Sequence, residues 1–155
     1  MVGLIRSIMC SESMSDHELQ ADTHERARGP HLMGRARVLI VEDEADLAWV
    51  EQFNLESEGY EVRVALEGRS AIEALDAFEP DVVVLDLMLP HVNGWAVLEK
   101  TSAMSDERRP KVIVVSAVAG AGERFRPGEL GIGFFLAKPF DMDDLVRLVG
   151  ETISL

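Results

Sequence analysis

Polar side chains that could do chemistry follow the aliphatic runs of this chain, at the points where the runs end. The run VVVLD closes on a lone carboxylate, Asp86, although a buried strand needs no charge at its tip. Other runs are followed by Glu42 and Asp43, by Ser116 and by Lys138. Because the carboxyl ends of parallel strands meet at one edge of a sheet, we expect these side chains to converge there.

Carboxylates that cluster at such an edge repel one another, and without a partner at least one is pushed toward protonation. A divalent cation removes this conflict, and all-oxygen ligation with room for water suits Mg²⁺. An aspartate held beside such an ion can attack phosphorus and form an aspartyl phosphate. Lys138 and the Ser116 hydroxyl would then contact the phosphoryl oxygens, since positioning and electrostatics govern phosphoryl transfer. We therefore predict that Asp86 is a phosphorylation site.

The segments that must position these residues alternate between strand-like and helix-like patterns of apolar residues. Short aliphatic runs that are apolar on both faces alternate with segments of helical spacing, which predicts a parallel sheet covered on both sides. We expect an α/β, doubly wound sheet of the flavodoxin-like type, with five strands in the order 2-1-3-4-5. The second strand ends in Ala65-Leu66, without a chemical group, as expected for a strand beyond the point where the winding reverses.

Composition excludes several classes of function. The net charge of −13 repels phosphate backbones and anionic lipids, so we expect neither direct nucleic-acid binding nor membrane binding. No run of about 18 apolar residues is present, and Arg6 and Ser7 interrupt the apolar start of the chain before a signal-type segment forms. Cys10 is the only cysteine, which precludes an internal disulfide and fits a cytoplasmic protein.

A boundary falls near Arg35. Residues 1–34 are polar, lack either period and carry Gly and Pro as breakers, so we interpret them as a disordered tail and residues 35–155 as one domain. His17, His24 and His31 recur at regular spacing in this tail. In a disordered segment, we interpret that spacing as chance rather than as a metal site.

The chain resembles the receiver domain of bacterial two-component response regulators from Arg35 to Leu155. The resemblance is carried by VEDE after the first strand, DLMLPHVNG after the third, SA after the fourth and LAKPF after the fifth. Each motif is weak alone, but together they occur in order at the ends of the expected strands. The resemblance implies a stand-alone response regulator that accepts a phosphoryl group from a histidine kinase or a histidine phosphotransfer protein.

The same resemblance implies roles for individual residues. It makes Asp86 the phosphoacceptor and Asp43 a direct Mg²⁺ ligand, with Glu42 acting mostly through water and the Met88 backbone carbonyl completing the protein ligands. Ser116 and Lys138 would bind the phosphoryl group. It also implies that Phe135 is the aromatic switch residue, and that a cis peptide bond before Pro139 aims Lys138 inward.

Several of these residues also have purely structural readings. Phe135 could be core packing rather than a switch, and Pro90 and Gly94 are interpreted as shaping the loop that leaves the site. Trp49 and Phe53 share a helix face because they are four residues apart. We expect core packing for this pair, with an exposed docking patch for the phosphodonor protein as the alternative.

Two features depart from the family pattern. Pro127-Gly128 lies where a helix is expected between the fourth and fifth strands, which predicts a shortened or broken helix because an interior proline costs about 3 kcal/mol. The sequence also stops at the end of the last predicted helix. We therefore expect this protein to signal by binding an unknown downstream protein or by passing the phosphoryl group to a phosphotransfer histidine.

Two other functions compete with the leading hypothesis. The first is a phosphorylation-independent adaptor with the same fold. The retained acidic residues and Lys138 argue against it, because a pure scaffold would gain stability by losing buried like charges. The second is a phosphohydrolase of the haloacid-dehalogenase type with Asp86 as nucleophile. That chemistry requires a second Asp two residues further on, where this chain has Met88.

Overall fold

The computed structural model describes residues 34–91, 93–117 and 129–155. In these segments five strands form a single sheet, and all neighbouring pairs are parallel. The strands are β1 (Arg37–Val41), β2 (Glu61–Ala65), β3 (Val82–Asp86), β4 (Lys111–Ser116) and β5 (Ile132–Ala137).

Helices connect the strands in the alternation that the sequence predicts. A short 3-10 turn, Glu129–Gly131, immediately precedes β5. None of the helices in the described segments is long and apolar enough to cross a membrane. The α-helices there are α1 (Ala45–Ser57), α2 (Gly68–Phe78), α3 (Gly94–Ser102) and α4 (Met142–Ser154).

The strand order is β2-β1-β3-β4-β5, which confirms the predicted doubly wound topology. The winding reverses between β1 and β3, where Val41 pairs with Leu85 in register. Polar residues that follow these two strands therefore project from adjacent positions at the carboxyl edge, which is where such sheets bind their ligands.

Each face of the sheet has its own apolar core, because alternate strand residues point to opposite sides. One cluster joins Leu39, Val41, Val83 and Leu85 to α2 and α3. The other cluster joins the intervening residues of the same strands, including Val38, Ile40, Val82 and Val84, to α1 and α4. Helices therefore cover both faces, as predicted.

Two predictions fall where the structure gives no description. The tail predicted over residues 1–34 lies outside the described residues except for Gly34, and so do its three histidines. The predicted break at Pro127-Gly128 lies outside them as well.

Candidate functional site

Three carboxylates meet at the carboxyl edge of the sheet, beside the switch point. Each of Glu42, Asp43 and Asp86 offers one oxygen, and these oxygens all lie within 4.8 Å of one another. Glu42 and Asp86 are buried, with 2% and 6% of their surface exposed, whereas Asp43 is exposed. The spacing of the three groups matches the convergence that the sequence predicted, and it is close enough for Asp43 and Asp86 to share a cation.

Hydrogen bonds fix the orientation of the Asp86 carboxylate. Its Oδ1 accepts from the Met88 backbone N–H at 2.8 Å, and its Oδ2 accepts from the Lys138 ammonium at 2.7 Å. The Met88 side chain is 61% exposed and points away from the core. Asp86 is therefore held by the loop that follows β3 on one side and by the loop that follows β5 on the other.

Lys138 is the cation of this cluster. Its Nζ lies 2.6 Å from Glu42 Oε2 and 2.7 Å from Asp86 Oδ2, and its side chain is only 16% exposed. Burial by itself lowers the pKa of Lys138, but the hydrogen bonds to Asp86 and Glu42 outweigh this effect and raise it. Lys138 is therefore a permanent positive charge. The peptide bond between Lys138 and Pro139 is cis.

Glu42 experiences opposing influences at its place after β1. Burial raises its pKa, and the hydrogen bond from Lys138 lowers it only in part, so the net pKa is above the usual value. Its Oε1 accepts from the backbone N–H of Glu44, the residue that precedes α1. Glu42 thus lies between the start of α1 and the Lys138 ammonium, and its burial disfavours its negative charge.

Ser116 lies on β4, the strand next to that of Asp86, and Phe135 lies on β5, one strand further out. Ser116 is buried at the end of β4, and its backbone carbonyl accepts from the Lys138 N–H at 3.0 Å. Phe135 is partly buried and packs against the core on the α2 and α3 face. β4 and β5 therefore bring Ser116 and Lys138 to the same edge, while Phe135 lies beside it and contacts the core.

The loop between β3 and α3 requires a glycine at its end. A Cβ on Gly94 would overlap the backbone oxygen of Asp86 and lie 2.6 Å from Cα of Leu87, so no side chain fits at this position. Asn93 directly precedes α3 as its N-cap, and its side chain accepts from the Ala96 N–H. Pro90 is exposed in the same loop. The structural role predicted for Gly94 and Pro90 stays a prediction, and the close approach shows why the backbone at position 94 has no room for a side chain.

The prediction of core packing for Trp49 and Phe53 is wrong. The two rings are stacked with their centroids 5.7 Å apart, but the residues are 64% and 59% exposed. The buried positions of α1 are instead Ala48, Glu51 and Leu55. We refer to Trp49 and Phe53 as the aromatic pair. Their exposure is compatible with the alternative interpretation, a docking patch.

Glu51 is the residue near this site that the sequence analysis did not identify. It is 1% exposed, and burial raises its pKa to about 8. One signal was available in the sequence, because Glu51 follows Ala48 by three residues and precedes Leu55 by four, which places all three on one helix face. An acid at that position of a core-facing helix marks an exception to the usual pattern.

A family model identifies the fold and the motifs together. The model described as the response regulator receiver domain matches residues 38–150, which includes every residue of the site described above. This match covers well over half of the chain.

Solved structures agree with this assignment. The chain is similar to the non-phosphorylated HemR receiver domain of Leptospira biflexa, with 34% identity, a TM-score of 0.69, and coverage of 78% of this chain and 96% of that one. It is similar to the signal receiver domain of the putative Luxo repressor protein of Vibrio parahaemolyticus, with 29% identity, a TM-score of 0.70, and coverage of 78% and 92%.

A third solved structure contains a metal ion. The receiver domain of the sensor histidine kinase PA1611 of Pseudomonas aeruginosa PAO1 has magnesium coordinated in its active site cleft. It shares 28% identity with this chain at a TM-score of 0.68, over 79% of this chain and 100% of that one. Taken with the family match and the carboxyl-edge geometry, these similarities show that the chain belongs to the response regulator receiver domain family of two-component signalling.

Proposed function

We propose that this protein accepts a phosphoryl group on Asp86 from a histidine kinase or a histidine phosphotransfer protein, in a Mg²⁺-dependent reaction, and that phosphorylation changes its affinity for a downstream protein. The observation that carries this proposal is the state of the Asp86 carboxylate. It is buried, oriented by Met88 and Lys138, and adjacent to two further carboxylates.

The donor set fits a magnesium ion. Glu42, Asp43 and Asp86 supply carboxylate oxygens within 4.8 Å of one another, and Mg²⁺ prefers oxygen ligands with water in its remaining positions. Asp43 and Asp86 would ligate directly, Glu42 mostly through water, and the Met88 carbonyl would be a further ligand. When bound, the ion neutralises carboxylate charge and offsets the charge of the incoming phosphoryl oxygens.

The chain's own groups account for the transfer step. An oxygen of the Asp86 carboxylate attacks the phosphorus of a phosphohistidine, the new O–P bond forms, and the P–N bond breaks. The departing imidazole nitrogen takes its proton from solvent. Because Met88 and Lys138 hold the Asp86 carboxylate in one orientation, the carboxylate needs little reorientation before it attacks.

Lys138 and Ser116 would then stabilise the product. The Lys138 ammonium already contacts the oxygen of Asp86, so a small shift brings it to a phosphoryl oxygen as a charge-assisted donor. The Ser116 hydroxyl lies at the neighbouring strand end and would donate to another phosphoryl oxygen. Movement of β4 and β5 toward the phosphoryl group would carry Phe135 with it, which makes this aromatic ring the candidate switch.

The aromatic pair is the candidate docking surface for the phosphodonor. Trp49 and Phe53 lie on α1, which begins directly after the Glu42 and Asp43 segment, and both are exposed. Large exposed aromatic side chains are the residues that most often anchor protein interfaces. We propose a cytoplasmic location for this reaction, in line with the single cysteine and the absence of a disulfide.

The proposal is tested by phosphorylating the purified protein with a radiolabelled small phosphodonor in the presence and absence of magnesium chloride. We expect acid-stable, base-labile label that disappears in Asp86→Asn and when the metal is chelated. Asp106→Asn is the matched control, because the Asp106 side chain is 93% exposed and remote from the acid cluster. Label that persists in Asp86→Asn would exclude Asp86 as the acceptor.

Beryllofluoride with magnesium separates the proposal from the adaptor hypothesis. A receiver binds this phosphoryl mimic saturably at the acceptor carboxylate, so binding should be lost in Asp86→Ala. The absence of saturable binding by the unmodified protein would leave the phosphorylation-independent adaptor as the better account.

A further inference from the structure

Glu51 is a buried acid in the middle of α1, on the side that faces the sheet. Only 1% of its surface is exposed, and it lies between Ala48 and Leu55 on the buried stripe of the helix. Such a position is normally apolar, because removing a charged carboxylate from water is strongly unfavourable unless a cation or several hydrogen bonds compensate. The chain therefore keeps an acid where packing alone favours a hydrophobic residue.

Glu51 lacks such compensation within the described segments. Its Oε2 is buried and has no hydrogen-bond partner there. Lys138, a cation whose charge acts on Glu51, forms its ion pairs with Glu42 and Asp86 instead. Glu51 is also outside the group of carboxylates whose oxygens lie within 4.8 Å of one another, so it is not placed as a metal ligand.

Within the described residues, the charged groups that act on Glu51 are Glu42, Asp86 and Lys138 of the phosphoacceptor site. Glu42 follows β1 and Asp86 ends β3, and strand alternation directs both to the α1 and α4 face, in line with Ile40 and Val84 of that core. α4 contributes apolar residues to the same core, and its Arg147 is occupied on the exposed side by Asp144 and Glu151. β2 contributes Val62 and Val64, whereas Arg63 lies over the Phe78 ring on the opposite face.

These surroundings favour the neutral form of Glu51. Burial is the largest of the influences that together raise the pKa of Glu51 to about 8; Glu42 and Asp86 act in the same direction, and Lys138 opposes them. A neutral acid adds no charge beneath the cluster, so Lys138 stays with Asp86 and Glu42. An ionised Glu51 would add a further negative charge on the same side of the sheet.

We propose that Glu51 is a positioning residue of the phosphoacceptor site, which stays protonated beneath the empty acid cluster and releases its proton to solvent when a divalent cation occupies the cluster. The inference rests on the proposed function, because it concerns the same cation. A cation lowers the free energy of the ionised carboxylate, so the O–H bond of Glu51 dissociates more readily. By linkage, loss of this proton strengthens cation binding by the same factor.

The first test needs no metal. Glu51→Gln is a neutral isostere, and Glu51→Leu matches the apolar stripe of α1. In chelator, the melting temperature of the unmodified protein should fall relative to both variants by more than about 5 °C between pH 6 and pH 9. The sign follows because a raised folded pKa makes the folded state hold a proton that the unfolded state has released, so stability is lost as pH rises from about 4.5 to about 8.

The second test uses magnesium chloride as the probe. In weak buffer near pH 8 with an indicator dye, the unmodified protein should release a measurable fraction of one proton per ion bound, and Glu51→Gln should release less. Its magnesium affinity should also rise between pH 7 and pH 9 several-fold more than that of either variant.

Three outcomes decide the inference. Parallel melting curves for the unmodified protein and both variants would show that Glu51 does not titrate in this range and would overturn it. Equal proton release and equal pH dependence of magnesium affinity would overturn the coupling while leaving the proposed function intact. If neither the unmodified protein nor the variants bind magnesium, the proposed function fails and the coupling fails with it, although the melting curves still report the proton on Glu51.

Discussion

The two faces of the sheet are built from the same strands but differ at the carboxyl edge. On the α2 and α3 face, the buried side chains of the described residues carry no charge, and Leu87 and Leu89 in the loop after β3 are still buried. On the α1 and α4 face, Glu42 and Asp86 are buried where the strands end, and Glu51 is buried among the apolar residues of α1. The α2 and α3 face therefore contributes apolar burial without buried charge, whereas the α1 and α4 face buries carboxylates at positions where apolar side chains would add stability.

The difference follows from strand alternation. In β3, Val83 and Leu85 point to one face, whereas Val82, Val84 and Asp86 point to the other. A single additional residue at the strand end thus places its side chain on the α1 face, next to Glu42 from β1 and Lys138 from the segment after β5. The charged groups share one side of one edge because their strands are parallel and in register.

Among substitutions that test the difference between the two faces, Leu75→Ala is expected to have the largest effect on stability. Leu75 is fully buried in α2, so its truncation should lower the free energy of unfolding by about 2–5 kcal/mol. Magnesium affinity, measured where the variant remains folded, should change less than about twofold because the site lies on the other face. Urea denaturation and a magnesium titration check both parts.

Leu66→Ala is the control for this comparison, because Leu66 is 43% exposed and should lose little stability. A magnesium affinity that falls in step with the stability of Leu75→Ala would show that the two faces are not independent.

A smaller, pH-dependent effect is expected for Lys138→Met. Removing one partner of a buried ion pair typically costs about 3–5 kcal/mol, and we expect about 2–3 kcal/mol because Lys138 is partly exposed. Burial already raises the pKa of Glu42, and loss of Lys138 removes the cation that counteracts this effect. The folded state then binds a proton more tightly than the unfolded state, so the deficit should grow from pH 5 to pH 8 and shrink in acid.

Urea denaturation at several pH values measures this deficit, and Lys100→Met serves as control. Lys100 pairs with Asp76 where both side chains are substantially exposed, so its loss should cost less than about 1 kcal/mol. A deficit in Lys138→Met that is the same at pH 5 and pH 8 would contradict the assignment of Lys138 as the counter-charge of Glu42.

The smallest effect on stability is expected for the aromatic pair. Trp49→Ala and Phe53→Ala should each change the free energy of unfolding by no more than about 0.5 kcal/mol, because both residues are exposed. Each should nevertheless slow phosphorylation by the cognate kinase roughly tenfold, equivalent to about 1.4 kcal/mol. Phosphorylation by a small donor should be unaffected. Ile153→Ala, on the exposed side of α4, is the matched control, and equal slowing with both donors would argue against docking at this pair.

Much of the fold follows from local pattern. Aliphatic runs that alternate with helical segments predicted the doubly wound sheet, and the polar residues at the ends of β1, β3, β4 and β5 predicted which edge carries the site. Both features could be predicted because the alternation of side chains along a strand and the position of a strand end are local properties of the sequence. The aromatic pair was misjudged because the spacing of Trp49 and Phe53 states only that they share a helix face, not which way that face points.

By itself the sequence determined that Glu42, Asp43, Asp86, Ser116 and Lys138 stand at strand ends, since each follows an aliphatic run directly. Only the tertiary structure decided that Lys138 pairs with Glu42 and Asp86, and that α1 turns Glu51 inward and the aromatic pair outward. The physical reason is that these outcomes depend on the rotation of a helix about its axis and on contacts between residues up to 96 positions apart in the chain. The spacing of apolar residues in the sequence fixes neither the rotation of the helix nor these long-range contacts.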